Sequence, residues 1–125
     1  MLSARDQHHV EADELFQRAA RERVPLLTTN LILAEVHRFV LFRAGIRAAS
    51  VALGHIESSA LVRIEFVTAA HHRSALEWLG RFYDQRFTYT DAVSFAVMRA
   101  SRCRVVLGFD RDFTTAGFTF WSATR

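Results

Sequence analysis

Apolar positions recur along this chain at two periods, one helical and one strand-like. From about Asp6 to Arg23, Val10, Leu15, Phe16, Ala19 and Ala20 fall at helical spacing with charge between them, which predicts an amphipathic helix. "VPLLTT" follows as a short buried strand. Asn30 is placed to cap "LILAEVHRFVLFRA", where Leu31, Ile32, Val36, Phe39 and Val40 keep the 3.6-residue period and Gly45 stops it. "IRAASVALGHIESSA" predicts a weaker helix, and "LVRIEFV" alternates as a strand does. Over residues 68–86 the stripe Ala75, Leu76, Leu79, Phe82 and Tyr83 predicts another helix. A further one runs from Asp91 to about Ser101 with Thr90 as its cap, and "CRVVLGF" and "FTFWS" read as the closing strands.

Strands alternating with helices predict an α/β fold with a mainly parallel sheet. The 125 residues fit one domain, and neither an internal repeat nor a linker interrupts them. Such folds normally open on a strand that becomes the middle of the sheet, whereas this chain opens in a helix.

Composition narrows the function classes. Half the residues are hydrophobic and there is one Pro, so the chain packs a core rather than staying disordered. All sixteen basic residues are Arg, and thirteen acids leave a formal charge of +3. That balance permits a nucleic-acid partner without requiring one. Cys103 is the single cysteine, which argues against a disulfide framework and for a reducing cytoplasm. No apolar run approaches the roughly 18 residues of a membrane span, so no membrane association is expected.

Four acids punctuate the oily second half and the long first helix. Asp91, in "TYTDAVSF", suits the first turn of a helix, where a carboxylate complements the macrodipole by roughly 0.3–1 kcal/mol. Asp110 follows "VVLG", beyond the carboxyl end of a strand, which is where open α/β sheets place their ligands. Glu35 interrupts an apolar helix between Leu31 and Phe39. It calls either for a pair with Arg38 at i+3 or for a metal. Asp112 is the weakest candidate of the four, because beside Arg111 it reads simply as a solvated loop acid. By topology Glu35, Asp91 and Asp110 can converge at one edge of the sheet, and converging carboxylates require a hard divalent cation such as Mg²⁺ or Mn²⁺. One or two such ions activate water for in-line attack on a phosphodiester.

The remaining polar residues offer less chemistry. His8/His9 and His71/His72 are adjacent pairs, so their members do not share a helix face as zinc ligands at i and i+4 would. Ser94 lacks a nucleophile elbow, and no Gly-rich phosphate loop is present. The many aromatics read mainly as core, with base stacking by Tyr89 or Trp121 as a minor option.

In order, "DQHHVEADELF", "LLTTNLILAEVHRFVLFRAG", "FYDQRFTYTDAVSFAVMR" and "VVLGFDRDFTTAGF" resemble the PIN-domain family, especially its VapC-like ribonuclease toxins. The resemblance covers nearly the whole chain. It implies a three-layer α/β/α fold and a Mg²⁺- or Mn²⁺-dependent single-strand RNA endonuclease. It also implies a homodimer held inactive by a small cognate antitoxin. On the matching positions, Glu35, Asp91 and Asp110 become catalytic metal ligands, Asp112 an additional ligand, and Asn30 and Ser94 residues that support them. Family members begin with a central strand ending in an Asp, and this chain aligns from the helix after it, so that strand and acid are expected to be absent. Asp6 matches a later loop acid and does not replace it. The alternative reading is a catalytically inactive PIN-like module that binds antitoxin or RNA, and a receiver-like regulatory domain is a more distant rival.

Overall fold

The computed structural model describes residues 18, 20–103, 105–106, 112 and 115–120, with backbone alone at 105–106 and 119–120. The elements are β1 (Leu26–Thr29), α1 (Asn30–Ala44), α2 (Ile46–Ser58), β2 (Val62–Glu65), α3 (Ala69–Arg81), α4 (Tyr89–Ala100), β3 (Val105–Val106) and β4 (Thr119–Phe120). This is the expected α/β order. Most of the predicted opening helix lies outside the described residues, as does the question of a preceding strand. Its described end is a helical turn in which the Glu22 N–H donates to the Arg18 carbonyl.

The chain divides into two compact units, residues 25–97 and residues 1–24 with 98–125. In the first, β1 and β2 pair in parallel, from Leu26 against Val62 to Thr29 against Glu65. The connection between them is the helix pair α1–α2, joined by the single residue Gly45. Gly45 has φ 97° and ψ 175°, a region essentially restricted to glycine.

The core of this unit is aromatic. Trp78 stacks on Phe82 with centroids 5.5 Å apart and meets Phe95 at 5.2 Å, while Phe87 contacts both Phe82 and Phe95. Each such pair contributes about 0.5–1.5 kcal/mol beyond the area it buries. Trp78 therefore sets the inward face of α3, together with Ala75. This corrects the predicted stripe: Leu76 is 51% exposed and Tyr83, which lies past the end of α3, is 86% exposed.

In the second unit β3 and β4 also pair in parallel, Val105 against Thr119. Beyond α4, Cys103 N–H donates to the Met98 carbonyl and Arg102 N–H to the Arg99 carbonyl, with Arg102 at φ 57°. That is the bond pattern of a Schellman stop, with arginine where glycine is usual. Met98, Arg99, Arg102, Cys103, Gly117 and Phe118 line a cavity of about 510 Å³ in this unit.

Candidate functional site

Parallel pairing puts the carboxyl ends of β1 and β2 side by side, and a helix starts at each. Thr29, the last residue of β1, is buried, and its hydroxyl accepts from Ile32 N–H at 3.3 Å, so Thr29 caps α1. Asn30, predicted to be the cap, is instead the first helical residue. Freed from capping, its Oδ1 accepts the N–H of Val67, 37 residues away, at 3.0 Å. This bond ties the start of α1 to the turn that leaves β2.

That turn leads directly into α3, which Thr68 and His71 cap reciprocally. The His71 N–H donates to the Thr68 hydroxyl, and the Thr68 N–H donates to His71 Nδ1. The neighbouring His72 points another way, and its Nδ1 lies 2.9 Å from the Tyr89 hydroxyl. Tyr89 is the first residue of α4, so the start of α4 is tethered to the first turn of α3. Thr88, not Thr90, then closes the end of α4: Asp91 N–H donates to the Thr88 hydroxyl and Thr88 N–H to Asp91 Oδ2. A path of hydrogen bonds and short chain segments thus runs from Asn30 through Val67, Thr68, His71, His72 and Tyr89 to Asp91.

Of the sequence-predicted residues, Asn30, Glu35, Asp91 and Ser94 belong to the unit that carries this edge. Asn30 and Asp91 are on the path itself. Asp91 is half-buried, with one carboxylate oxygen held by a backbone N–H and a second oxygen besides. Glu35 is exposed, five residues into α1 and so about 7.5 Å along its axis from the first residue. Among the described residues it has no ion pair, and Arg38 lies over the Phe42 ring at 5.2 Å instead. Ser94 is buried in the middle of α4. Asp112 is half-buried in the other unit, where its carbonyl accepts from Ala116 N–H. Asp110 lies outside the described residues.

Among the described residues no group of three His, Cys, Asp or Glu side chains is close enough to share a metal ion. The chemistry of the predicted donors, all carboxylates, is that of a hard-cation site. A further acid at the same edge went unnoticed in the sequence: Glu65 ends β2, paired in register with Thr29, and its Oε1 is 2.7 Å from Arg63 Nη2. Spacing of two along a strand puts Arg63 and Glu65 on one face, which was the available signal.

An α/β unit whose helices start at the carboxyl ends of parallel strands, with a fixed acid among them, has the ligand-binding layout of open α/β proteins. The chain is 39% identical over 116 residues to the 23S rRNA-specific endonuclease VapC20 of two Mycobacterium tuberculosis strains, the match covering 93% of this chain and 86% of the relative. It is also similar to the crystal structure of Mycobacterium tuberculosis VapC20, a sarcin-ricin loop cleaving toxin. There the TM-score is 0.72 and the identity 40%, over 82% of this chain and 78% of that one. No protein-family model matches the chain. By this relationship the chain belongs to the VapC family of PIN-domain toxins.

Proposed function

We propose that the chain is an RNA endonuclease toxin that hydrolyses a phosphodiester in a single-stranded or looped segment of ribosomal RNA, using Mg²⁺ or Mn²⁺. The observation that carries this reading is the 39% identity, over 93% of the chain, to an endonuclease specific for 23S rRNA. In the reaction an oxygen of water bonds to phosphorus, one P–O ester bond breaks and the departing oxygen takes up a proton. A bound divalent cation supplies charge neutralisation and activation of water. Glu35, Asp91 and Asp110 are the residues assigned to hold it, with Asp112 as an additional carboxylate.

The described residues do the positioning. Thr88 fixes the Asp91 carboxylate before substrate arrives, through the 3.2 Å bond from its N–H. Asn30 fixes the turn after β2, and Ser94 supports the helix that carries Asp91 from within. The starts of α1, α3 and α4 bring the positive ends of three helix dipoles to linked positions, which favours the phosphodiester anion.

The partners in this reading are a small cognate antitoxin and a second copy of the chain. Exposed Phe42, Ile46 and Val51 on the α1–α2 pair support such contacts. The compartment proposed is the cytoplasm, and no described helix is long and apolar enough to cross a membrane. The test is incubation of the purified chain with ribosomes and with naked ribosomal RNA, in Mg²⁺, Mn²⁺ or EDTA, with ends mapped by primer extension. A discrete cut in the large-subunit RNA that needs the cation is the expected result. Intact RNA under every cation condition overturns the reading.

A further inference from the structure

Tyr89 and His72 lie outside the set of residues assigned above, yet they occupy the same edge. The Tyr89 side chain is hydrogen-bonded through its hydroxyl to His72 Nδ1 at 2.9 Å, and the two rings are tilted by 59° with centroids 5.8 Å apart. Despite this contact Tyr89 remains 40% exposed, and His72 is exposed as well. Other aromatics protrude further, Phe42 and Tyr83 among them, but neither is tied by a polar bond to the start of the helix bearing Asp91. An exposed ring whose far end is fixed has already lost most of its rotamer freedom. A ligand that covers it therefore gains contact with little further ordering.

We infer that Tyr89, anchored by His72, is a stacking platform for an unpaired RNA base that flanks the segment being cut. Looped RNA is read largely by splaying bases onto aromatic faces, and the stack tolerates any base because every base has a π face. The placement also says what Tyr89 does not do. Residues two apart on a helix point about 200° apart, so Tyr89 and Asp91 leave the first turn of α4 in nearly opposite directions. Tyr89 is thus a positioning residue: it holds a flanking base and acts on substrate binding, while the Asp91 side chain addresses the phosphodiester. The inference rests on the nuclease reading for its substrate and has its own readout.

That readout is fluorescence of a single-stranded RNA oligonucleotide carrying 2-aminopurine, titrated with the full chain in EDTA so that no cleavage occurs. Stacking on Tyr89 changes the emission of 2-aminopurine. Tyr89→Ala is expected to weaken binding by about tenfold, the size of one base–aromatic stack, and to abolish the emission change. Tyr89→Phe keeps the ring face and is expected to stay within about twofold. In Mn²⁺, Tyr89→Ala raises KM by a similar factor and leaves kcat within about threefold.

Wild-type binding by Tyr89→Ala overturns the inference, and so does equal loss in Tyr89→Ala and Tyr89→Phe, which assigns the effect to the His72 bond as a tie between helices. Thermal melting of both variants, expected to match wild type within a few degrees, excludes unfolding as the source of a loss. An emission change that needs Tyr89 but no cleavage in any metal removes the nuclease reading and leaves the platform. Cleavage with an emission change indifferent to Tyr89 does the reverse.

Discussion

Helices α1 and α4 are equally apolar, with ten of fifteen and eight of twelve residues hydrophobic, but they end up at opposite depths. No residue of α1 is buried, whereas α4 buries seven in succession, from Ala92 to Met98. The difference lies in where the charges fall. In α1, Glu35, His37, Arg38 and Arg43 break the apolar residues into runs of four or fewer, so every face of the helix keeps a polar group near water. In α4 the charges stand at the ends, Asp91 in the first turn and Arg99 in the last, leaving an interior that can be enclosed on every side. Apolar content alone predicts a helix. The spacing of its charges predicts how deep that helix can go.

The comparison breaks or sharpens under substitution. Phe95 is fully buried against Trp78 and Phe87, so Phe95→Ala is expected to cost about 3–5 kcal/mol in urea unfolding. Phe42→Ala removes the same ring from α1 and is expected to stay within about 0.5 kcal/mol. Similar losses for the two would mean that α1 is covered in solution, as by a second copy.

The helix ends give smaller effects. Gly45→Ala forces a side chain into a glycine-only conformation and is expected to cost about 1–3 kcal/mol. Thr88→Ala removes the hydroxyl that accepts the Asp91 N–H, for a loss of about 0.5–2 kcal/mol in thermal melts. Asp91→Asn keeps an amide oxygen that can accept the Thr88 N–H and is expected to lose only the charge's share, about 0.3–1 kcal/mol. Only Asp91→Asn should also bring RNA cleavage below detection. If Thr88→Ala silences cleavage as fully, Asp91 acts through the cap and not as a ligand. One change at a helix end is a gain: Arg102→Gly, at φ 57°, relieves a left-handed arginine and should raise stability by about 1 kcal/mol.

Much of the layout was legible in the sequence because periodicity and punctuation are local. Gly45 ends a helix where expected, "LLTT" and "VRIE" are strands, and Asp91 stands in a first turn. The errors came where one polar side chain could serve two places. Asn30 is an excellent cap in isolation, but Thr29 beside it is also a good cap, and only the fold brings Val67 within reach of an asparagine. Thr88 and Thr90 present the same ambiguity, settled by the i+3 spacing from Thr88 to Asp91. Glu35 read as a carboxylate on an apolar face, and its exposure removes the desolvation cost that made it look exceptional. Adjacent histidines on a helix face different ways, so the pair offers no shared ligand face. That divergence is what lets His71 cap α3 while His72 reaches α4.

The one-residue joint between α1 and α2 also bears on the order in which the molecule assembles. Leu26 finds Val62 across thirty-six positions of chain, a closure that is entropically uphill when the intervening segment is loose. Helices form in about a microsecond, and two helices in contact across a single glycine need almost no search to find each other. The α1–α2 pair therefore acts as a clasp that shortens the search before the strands meet. Parallel strand pairing, rather than helix formation, becomes the slow event. The edge on which Asn30 and Val67 meet is then expected among the last parts of this unit to gain amide protection during refolding, which pulsed hydrogen exchange checks.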